Sequence, residues 1–257
     1  DRVSVMTRNS LVATLVMFAC WRVGTVYAPV NFNYKGKLLS YQLNDTQPSV
    51  LVVGADCAQA VHEVLGETAV GALVVHRPRP SDHDFGQGEV PAGFGAGRRV
   101  EDFAQVVASG GRPVAVPRGY ADLANIIYTS GTTGPAKGVL HSYRWINQYT
   151  WAMRNINGPD DVVYCDLPLY HVGGAFFLVA RACWNGNSVG LWDKFSATAF
   201  WDRIRRTGCS TGVLVDVMIP WLMSAEPRAD DRENTLNKMH MQPLPLNHHQ
   251  VAQRFGI

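Results

Sequence analysis

The 257-residue chain has few cysteines, and their arrangement argues against a fold stabilised by disulfides or by zinc. The five cysteines are widely spaced and odd in number, and they form no Cys-x-x-Cys pair; they are Cys20, Cys57, Cys165, Cys183 and Cys209. This pattern argues against a disulfide framework and against a zinc site, and it favours a reducing compartment such as the cytoplasm. We expect Cys165 and Cys183 to be ordinary buried thiols.

Strong net charge and long apolar runs are also lacking. A formal net charge of +2 gives no electrostatic reason to expect nucleic acid or an anionic membrane as a partner. The most apolar stretch near the start, Leu11–Val23, contains Arg22 and is shorter than the about 20 apolar residues that a bilayer span needs. It also lacks a basic leader with a small-residue cleavage site. We therefore predict a buried helix there, with no transmembrane segment and no signal peptide.

Short apolar segments alternate along the chain with segments of helical pattern. Strands are predicted at residues 26–30, 50–53, 72–76, 123–128, 162–165, 188–192 and 211–214. Helices are predicted at residues 11–23, 38–44, 61–65, 100–109, 143–154, 174–184, 196–207 and 217–224. This alternation predicts an α/β fold, with parallel-rich β-sheet layers flanked by helices. Prolines and glycines make 77–99 an irregular loop, and 226–247 is a polar irregular stretch.

One segment, residues 128–139 with the sequence YTSGTTGPAKGV, combines the groups that bind polyphosphate. Its glycines let the backbone approach a ligand closely and turn several N–H groups toward one point. Lys137 adds a mobile positive charge, and hydroxyl donors come from Thr129, Ser130, Thr132 and Thr133. A single lysine–phosphate pair at 4 Å contributes about 1 kcal/mol in water, so the converging donors have to supply the rest.

Two other interpretations of this segment are less consistent with its residues. A plain Ser/Thr/Gly linker would not need this order of residues directly after an apolar strand. A Walker P-loop requires Gly-Lys-Ser/Thr in succession, whereas Ala136 precedes Lys137 and Gly138 follows it.

The segment resembles the phosphate-binding loop of the adenylate-forming (AMP-binding) superfamily, and the chain is most similar to an acyl-CoA synthetase. The run LPLYHVGG at 167–174 resembles the second core motif of that family. Weaker similarities, in the same order as in the family, occur at 1–6 with Asn9, at 24–31, and at 244–246 with 254–257. The resemblance covers nearly the whole chain and implies an incomplete N-terminal AMP-binding domain over residues 1–257, with the C-terminal domain absent.

Carried over by position, the resemblance implies specific site residues. The residues that would contact the β- and γ-phosphates of ATP are Thr129, Ser130, Gly131, Thr132, Thr133, Gly134 and Lys137. His171 would be the catalytic residue, at the junction of the acyl and nucleotide pockets, although a lone histidine in an apolar stretch is more often a core side chain. Gly173 and Gly174, together with Phe176 and Phe177, would let an acyl chain approach, and simple helix packing explains the two aromatic residues equally well. No metal site is predicted, since the adjacent His248 and His249 have no third ligand nearby.

The implied reaction is ATP-dependent activation of a carboxylic acid to an acyl-adenylate with release of pyrophosphate, followed by transfer to coenzyme A. ATP, Mg²⁺ and coenzyme A are the implied cofactor and co-substrates, and the implied setting is cytoplasmic fatty acid metabolism. The family motifs for adenine, ribose and the reacting carboxylate do not occur in this sequence. We therefore expect this chain alone to be inactive, and apolar surface exposed by truncation to favour self-association. The alternatives are a non-catalytic nucleotide-binding remnant and the adenylation domain of a peptide synthetase.

Overall fold

The computed structural model describes residues 1–79, 86–112, 114–129 and 135–257. The chain divides into two compact units. The first unit comprises Asp1–Asn147 together with Leu169–Val172, and the second comprises Gln148–Pro168 together with Gly173–Ile257. The predicted α/β class is confirmed, because each unit contains a β-sheet with helices connecting its strands.

The described part of the first unit forms a seven-stranded sheet with the order β5-β4-β3-β1-β2-β6-β7. Its strands are β1 (Arg2–Met6), β2 (Val26–Pro29), β3 (Val50–Gly54), β4 (Ala72–His76), β5 (Arg99–Asp102), β6 (Leu123–Thr129) and β7 (Lys137–Ser142). Its helices are α1 (Leu11–Val23), α2 (Gly36–Thr46), α3 (Ala58–Val64) and α4 (Phe103–Ala108), with short 3₁₀ turns at Ala55–Cys57 and Leu65–Glu67. Neighbouring strands pair in parallel from β5 to β6, and β6 pairs with β7 antiparallel.

Helix α1 shows how local signals set the limits of an element. The Ser10 side chain accepts a hydrogen bond from the Ala13 N–H at 3.2 Å and caps the first turn. Gly24 ends the helix in the left-handed conformation with φ of 73°, which a residue with a Cβ adopts at a cost. Both limits agree with the sequence prediction.

The core of the first unit lies between its sheet and helices α2 and α3. Leu39 and Leu43 of α2 are fully buried against Leu51 and Leu73 of neighbouring strands. Burying a leucine side chain of this kind contributes about 1.5–3 kcal/mol relative to leaving it exposed. Helix α2 is therefore fixed firmly against the sheet, and its polar C-terminal turn is held in a defined place.

That C-terminal turn holds the end of β6 through the Tyr128 side chain. The Tyr128 hydroxyl donates to the Asp45 carboxylate at 2.5 Å and accepts from the Thr46 hydroxyl at 3.0 Å. Burial and the hydrogen bond to Asp45 raise the pKa of the Tyr128 phenol well above its usual range, so it remains a donor. Tyr128 thus fixes the strand end that leads into the predicted phosphate loop.

The second unit contains a parallel sheet with the order β11-β10-β8-β9 in its described residues. Its strands are β8 (Val162–Cys165), β9 (Ser188–Leu191), β10 (Thr211–Val215) and β11 (Lys238–Gln242). Helix α5 (Tyr143–Arg154) begins in the first unit and ends in the second. The remaining helices are α6 (Arg181–Asn185), α7 (Phe200–Thr207), α8 (Met218–Ser224) and α9 (His248–Phe255), and a π-helical segment, Gly173–Ala180, leads directly into α6.

The π-helical segment packs against the chain that precedes it, and Gly174 allows this. A Cβ at Gly174 would lie 2.4 Å from the carbonyl oxygens of both Leu167 and Pro168, closer than atoms can approach. Packing of the backbone therefore accounts for this glycine. π-Helical turns are rare and occur often at functional sites, which draws attention to the side chains of this segment.

Several sequence predictions of elements were wrong in detail. Residues 100–109 are not one helix, because the Asp102 carboxylate caps α4 by accepting from the N–H groups of Ala104 and Gln105. Helix α7 starts at Phe200, while Ser196 closes a separate turn by accepting from the Ala199 N–H at 3.3 Å. Further departures are the strand β7 at the end of the expected loop, the strand β5 at the start of the predicted helix 100–109, the strand β11 within 226–247, and the helix α9. Cys183, which we expected to be buried, is exposed.

No helix within the described ranges combines the length and the apolarity that a membrane span would need. The predicted helix at Leu11–Val23 is present, but it is buried on one side only: Leu11 and Leu15 are exposed, whereas Val12 and Val16 are buried.

The Tyr128 hydrogen bonds predict a measurable loss of stability in Tyr128→Phe. Removing a half-buried hydroxyl that bonds a carboxylate and a second side chain should lower the free energy of unfolding by about 1 kcal/mol. Urea denaturation of the chain measures this difference. The control Tyr41→Phe, which removes an exposed tyrosine hydroxyl from α2, should leave the free energy of unfolding unchanged. Equal stability of the two variants would contradict the role of Tyr128.

Candidate functional site

A cavity of about 510 Å³ opens in the first unit beside the ends of β6 and β7. Its lining residues are Pro29, Asn31, Tyr34, Gln42, Ile127, Tyr128, Thr129, Val139, His141, Trp145, Tyr170, His171 and Val172. Two predicted site residues, Thr129 and His171, are therefore brought to one cavity. A second cavity, of about 580 Å³, lies beside Gly88 and Phe94 and contains none of the predicted site residues.

The predicted phosphate loop joins two antiparallel strands whose ends are fixed in register. Thr129, the last residue of β6, pairs with Lys137, the first residue of β7. Both residues are exposed, and Lys137 does not belong to the cavity lining. The other predicted phosphate ligands, Ser130, Gly131, Thr132, Thr133 and Gly134, lie outside the described residues. The pairing therefore places the two ends of the loop side by side, with a hydroxyl on one and an ammonium on the other.

Gly138 follows Lys137 because the space for a side chain is already occupied. A Cβ at Gly138 would lie 2.8 Å from Cγ2 of Ile126 and 3.2 Å from Cζ of Tyr128. The Tyr128 ring thus lies against the backbone of β7 next to Lys137. This packing connects the position of the lysine with the hydrogen bonds that hold Tyr128.

His171 lies on the segment Leu169–Val172, which is anchored to the start of the chain. The buried Asn9 side chain accepts a hydrogen bond from the Leu169 N–H at 2.9 Å, and Tyr170 packs edge-on against Phe32 with ring centroids 5.5 Å apart. The imidazole of His171 is exposed to the cavity and yet surrounded by protein atoms, and this burial lowers its pKa from 6.5. His171 is therefore neutral at pH 7 and can accept a hydrogen bond.

His141 and Trp145 form part of the same cavity, and sequence reasoning missed both. The two rings stack with centroids 3.9 Å apart, and burial lowers the pKa of His141. Trp145 belongs to α5, one turn along from the end of β7, so chain connectivity brings the rings together. One signal is present in the sequence, an aromatic residue four positions after a histidine, but the sequence does not show that the two residues face a cavity.

Gln42 supplies a buried polar group to this cavity. Its side-chain N–H donates to the Pro29 carbonyl oxygen at 3.0 Å, which orients the amide. The amide oxygen is buried and accepts no hydrogen bond from the described residues. Buried polar atoms are nearly always satisfied, so this oxygen is suited to accept a hydrogen bond from a ligand or a water.

The electrostatic environment favours binding of an anion at the edge of the cavity and not inside it. Both cavity histidines have lowered pKa values and are neutral at pH 7, so they add no cationic charge. Within the described ranges, no three His, Cys, Asp or Glu side chains are grouped to hold a metal ion. The Lys137 ammonium, at the loop end of the β6–β7 hairpin, supplies the positive charge.

Known proteins similar to this chain are ligases that attach acids to coenzyme A. The chain is 26% identical over 265 residues to the medium/long-chain-fatty-acid–CoA ligase FadD6 of Mycobacterium tuberculosis, covering 100% of this chain and 40% of the relative. It is 27% identical over 269 residues to the crotonobetaine/carnitine–CoA ligase of Salmonella typhi, covering 100% of this chain and 48% of the relative. The chain thus spans less than half the length of these curated relatives.

Solved structures support the same fold. The ATP-bound MatB from Rhodopseudomonas palustris superimposes with a TM-score of 0.76 at 23% identity, over 100% of this chain and 48% of that chain. At this identity the likeness establishes the fold alone. The family model for the AMP-binding enzyme matches residues 1–256. A match over nearly the whole chain leaves no ambiguity at the level of family, and the chain belongs to the AMP-binding enzymes.

Proposed function

We propose that this chain provides the pyrophosphate-binding part of an enzyme that uses ATP to activate a carboxylic acid and then transfers the acyl group to coenzyme A. The observation that carries the proposal is the register of Thr129 with Lys137, which brings the two ends of a Ser/Thr/Gly-rich loop together beside the cavity of His171. Loops of this composition present amide and hydroxyl donors to phosphate oxygens.

The first chemical step is attack of a carboxylate oxygen on the α-phosphorus of ATP. A new O–P bond forms as the bond to the β-phosphate oxygen breaks, so that pyrophosphate leaves with additional negative charge. Lys137 and the hydroxyl and amide donors of 129–134 stabilise that charge, as cationic and preorganised donors do in other phosphoryl transfers. A divalent metal ion bound with ATP would supply further charge neutralisation.

The cavity next to the loop holds the organic part of the reaction. Its walls are mostly apolar and aromatic, and a few polar groups, including Gln42 and the neutral His171, face it. We assign His171 to the junction between the acyl group and the nucleotide, where a neutral imidazole accepts a hydrogen bond without repelling a cationic neighbour. In the second step the thiol of coenzyme A attacks the acyl carbonyl and AMP leaves.

The complete reaction belongs to a polypeptide of the relatives' length. Curated relatives extend well beyond the matched region, since this chain covers 40% of FadD6 and 48% of the carnitine ligase. We therefore expect the 257 residues alone to bind pyrophosphate and to show little turnover. All five thiols are free, which is consistent with the reducing cytoplasm that we propose as the compartment.

Loss of Lys137 should weaken phosphate binding and leave the fold intact. In Lys137→Ala the dissociation constant for pyrophosphate should rise at least tenfold, which corresponds to about 1.4 kcal/mol, because one full charge is removed from the binding site. Isothermal titration calorimetry of the chain measures this change. Lys37→Ala removes an equally exposed lysine outside the cavity lining and serves as the control.

The decisive assay is carboxylate-dependent exchange of pyrophosphate into ATP, carried out on the complete coding frame that contains this chain. Exchange that depends on an added acid and disappears in Lys137→Ala supports acid activation. No exchange with short, medium, long or aromatic acids would rule the proposal out. Transfer of the product to a carrier domain and not to coenzyme A would favour a peptide-synthetase adenylation domain.

The lowered pKa of His171 predicts the pH dependence of this exchange. Because the folded protein holds His171 below 6.5, the imidazole is neutral from pH 7 to pH 8 and becomes protonated only in more acidic solution. Exchange should therefore stay level between pH 7 and pH 8 and fall below pH 6.5. His171→Asn should lose that acidic fall, whereas His62→Asn, on the exposed side of α3, should keep it. A profile that is the same in all three proteins would remove His171 from the mechanism.

A further inference from the structure

A line of exposed apolar side chains runs along α1 in the first unit. Leu11 is 68% exposed, Leu15 is exposed as well, and the partly exposed Phe18 continues the line about two turns from its start. Residues spaced by three or four positions lie on one face of a helix, and the opposite face of α1 is buried. A surface helix normally turns polar residues outward, so this apolar outer face requires an explanation.

The line ends at Arg22, where a segment from a distant part of the sequence runs beside α1. The Val116 N–H donates to the Arg22 carbonyl oxygen at 3.4 Å, and the Arg118 guanidinium donates to the Gly24 carbonyl oxygen at 2.5 Å. A side chain at Gly24 would collide with that guanidinium, so the glycine leaves the space in which Arg118 lies. Two exposed arginines are thereby held at one end of the apolar line.

A third exposed arginine, Arg144, is held at the same place. Its backbone N–H, in the first turn of α5, donates to the Tyr120 carbonyl oxygen at 2.8 Å. The one acid of this segment, Asp122, accepts from the Gly119 N–H at 2.9 Å. Three guanidinium charges therefore face one carboxylate, although the whole chain has a net charge of only +2. Net charge gave no reason to expect an anionic partner because it averages over charges that the fold separates.

Exposed apolar and aromatic side chains lie among the three arginines. Val114 and Tyr120 are 67% and 66% exposed, and Val23 is exposed next to Arg22. A continuous exposed apolar surface of this kind marks a place where a protein binds a partner or a membrane. We call this set the α1 surface; it comprises Leu11, Leu15, Phe18, Arg22, Val23, Val114, Val116, Arg118, Tyr120 and Arg144.

The composition of the α1 surface matches an anionic lipid bilayer better than a protein. A protein partner anchors its large side chains in pockets, and neither described cavity is lined by residues of this surface. A symmetric dimer would place the arginines of both copies in one interface, where like charges repel each other. A bilayer needs no pocket, since apolar side chains enter the acyl region while arginines stay at the anionic headgroups.

We propose that the α1 surface binds the anionic face of a lipid bilayer. Leu11 and Leu15 enter the boundary between headgroups and acyl chains, and Arg22, Arg118 and Arg144 contact the lipid phosphates. The attachment is peripheral and reversible, and added salt weakens it because ions screen the attraction between arginine and phosphate. Lipid binding at this surface is independent of the proposed function, because none of its residues belongs to the predicted phosphate site or to the cavity beside it.

Co-sedimentation with lipid vesicles tests the proposal on the complete coding frame that contains this chain. Vesicles of phosphatidylcholine alone are compared with vesicles of phosphatidylcholine mixed with phosphatidylglycerol, without ATP or acid. At low salt the protein should bind the anionic vesicles about tenfold more tightly or better, and the difference should shrink as salt is added. Because neither ATP nor acid is present, failure to bind vesicles leaves the proposed acid activation untouched.

Matched variants separate the charged part of the surface from the apolar part. Arg22→Gln and Arg144→Gln should each weaken binding to anionic vesicles and reduce its salt dependence, whereas Arg232→Gln, in the second unit, should change neither. Leu15→Gln should weaken binding at every salt concentration, because it removes an apolar side chain and no charge. Leu38→Gln removes an equally exposed leucine from α2 and should have no effect. All these side chains are exposed, so the melting temperature should stay at the parent value.

Several outcomes would overturn the assignment. Equal affinity for neutral and anionic vesicles, or binding that is unchanged in both Arg22→Gln and Leu15→Gln, would show that the α1 surface does not contact lipid. A dimer that forms without vesicles and dissociates in Leu15→Gln, measured by light scattering, would assign the surface to a second copy of the chain. Tighter binding to single-stranded nucleic acid than to vesicles, lost in Arg22→Gln, would assign it to that partner instead.

Discussion

The antiparallel pairing of β6 with β7 is the constraint on which the candidate site depends. Every other neighbouring pair in the two described sheets is parallel, so among the described strands β6 and β7 alone form a hairpin. That return sets Lys137 opposite Thr129. Tyr128, held by Asp45 and Thr46 at the end of α2, fixes the pair in place. Fixed strand ends reduce the ordering that binding of phosphate between them requires.

Burial determines which charges are available for function. In the first unit it keeps His141 and His171 neutral at pH 7, so that the cavity beside the loop accepts hydrogen bonds and the positive charge stays with Lys137 at the hairpin mouth. In the second unit, burial lowers the pKa values of the Arg181 guanidinium and of the His240 imidazole.

The sequence predicted most of the helices and strands because local signals limit them. The predicted helix ends at residues 23 and 207 are correct, and each is followed by a glycine in the left-handed conformation, Gly24 and Gly208. Strand β7 was missed because its pairing with β6, and not its own residues, makes it a strand. The candidate site residues Thr129, Lys137 and His171 were predicted from the motifs and the resemblance, and two of them, Thr129 and His171, line one cavity. The roles of Tyr128 and Gln42 were not predicted, since they depend on hydrogen bonds that only the three-dimensional structure shows.

The most direct test of this account is the chemical-shift response of the backbone amides to pyrophosphate. On a ¹⁵N-labelled chain the amides of Thr129 and Lys137 should move together and saturate at one concentration, because the paired strand ends carry a single phosphate site. The same titration of Lys137→Ala should need at least ten times more ligand. Shifts confined to other segments, with Thr129 and Lys137 unmoved, would contradict the claim that the β6–β7 register builds the site.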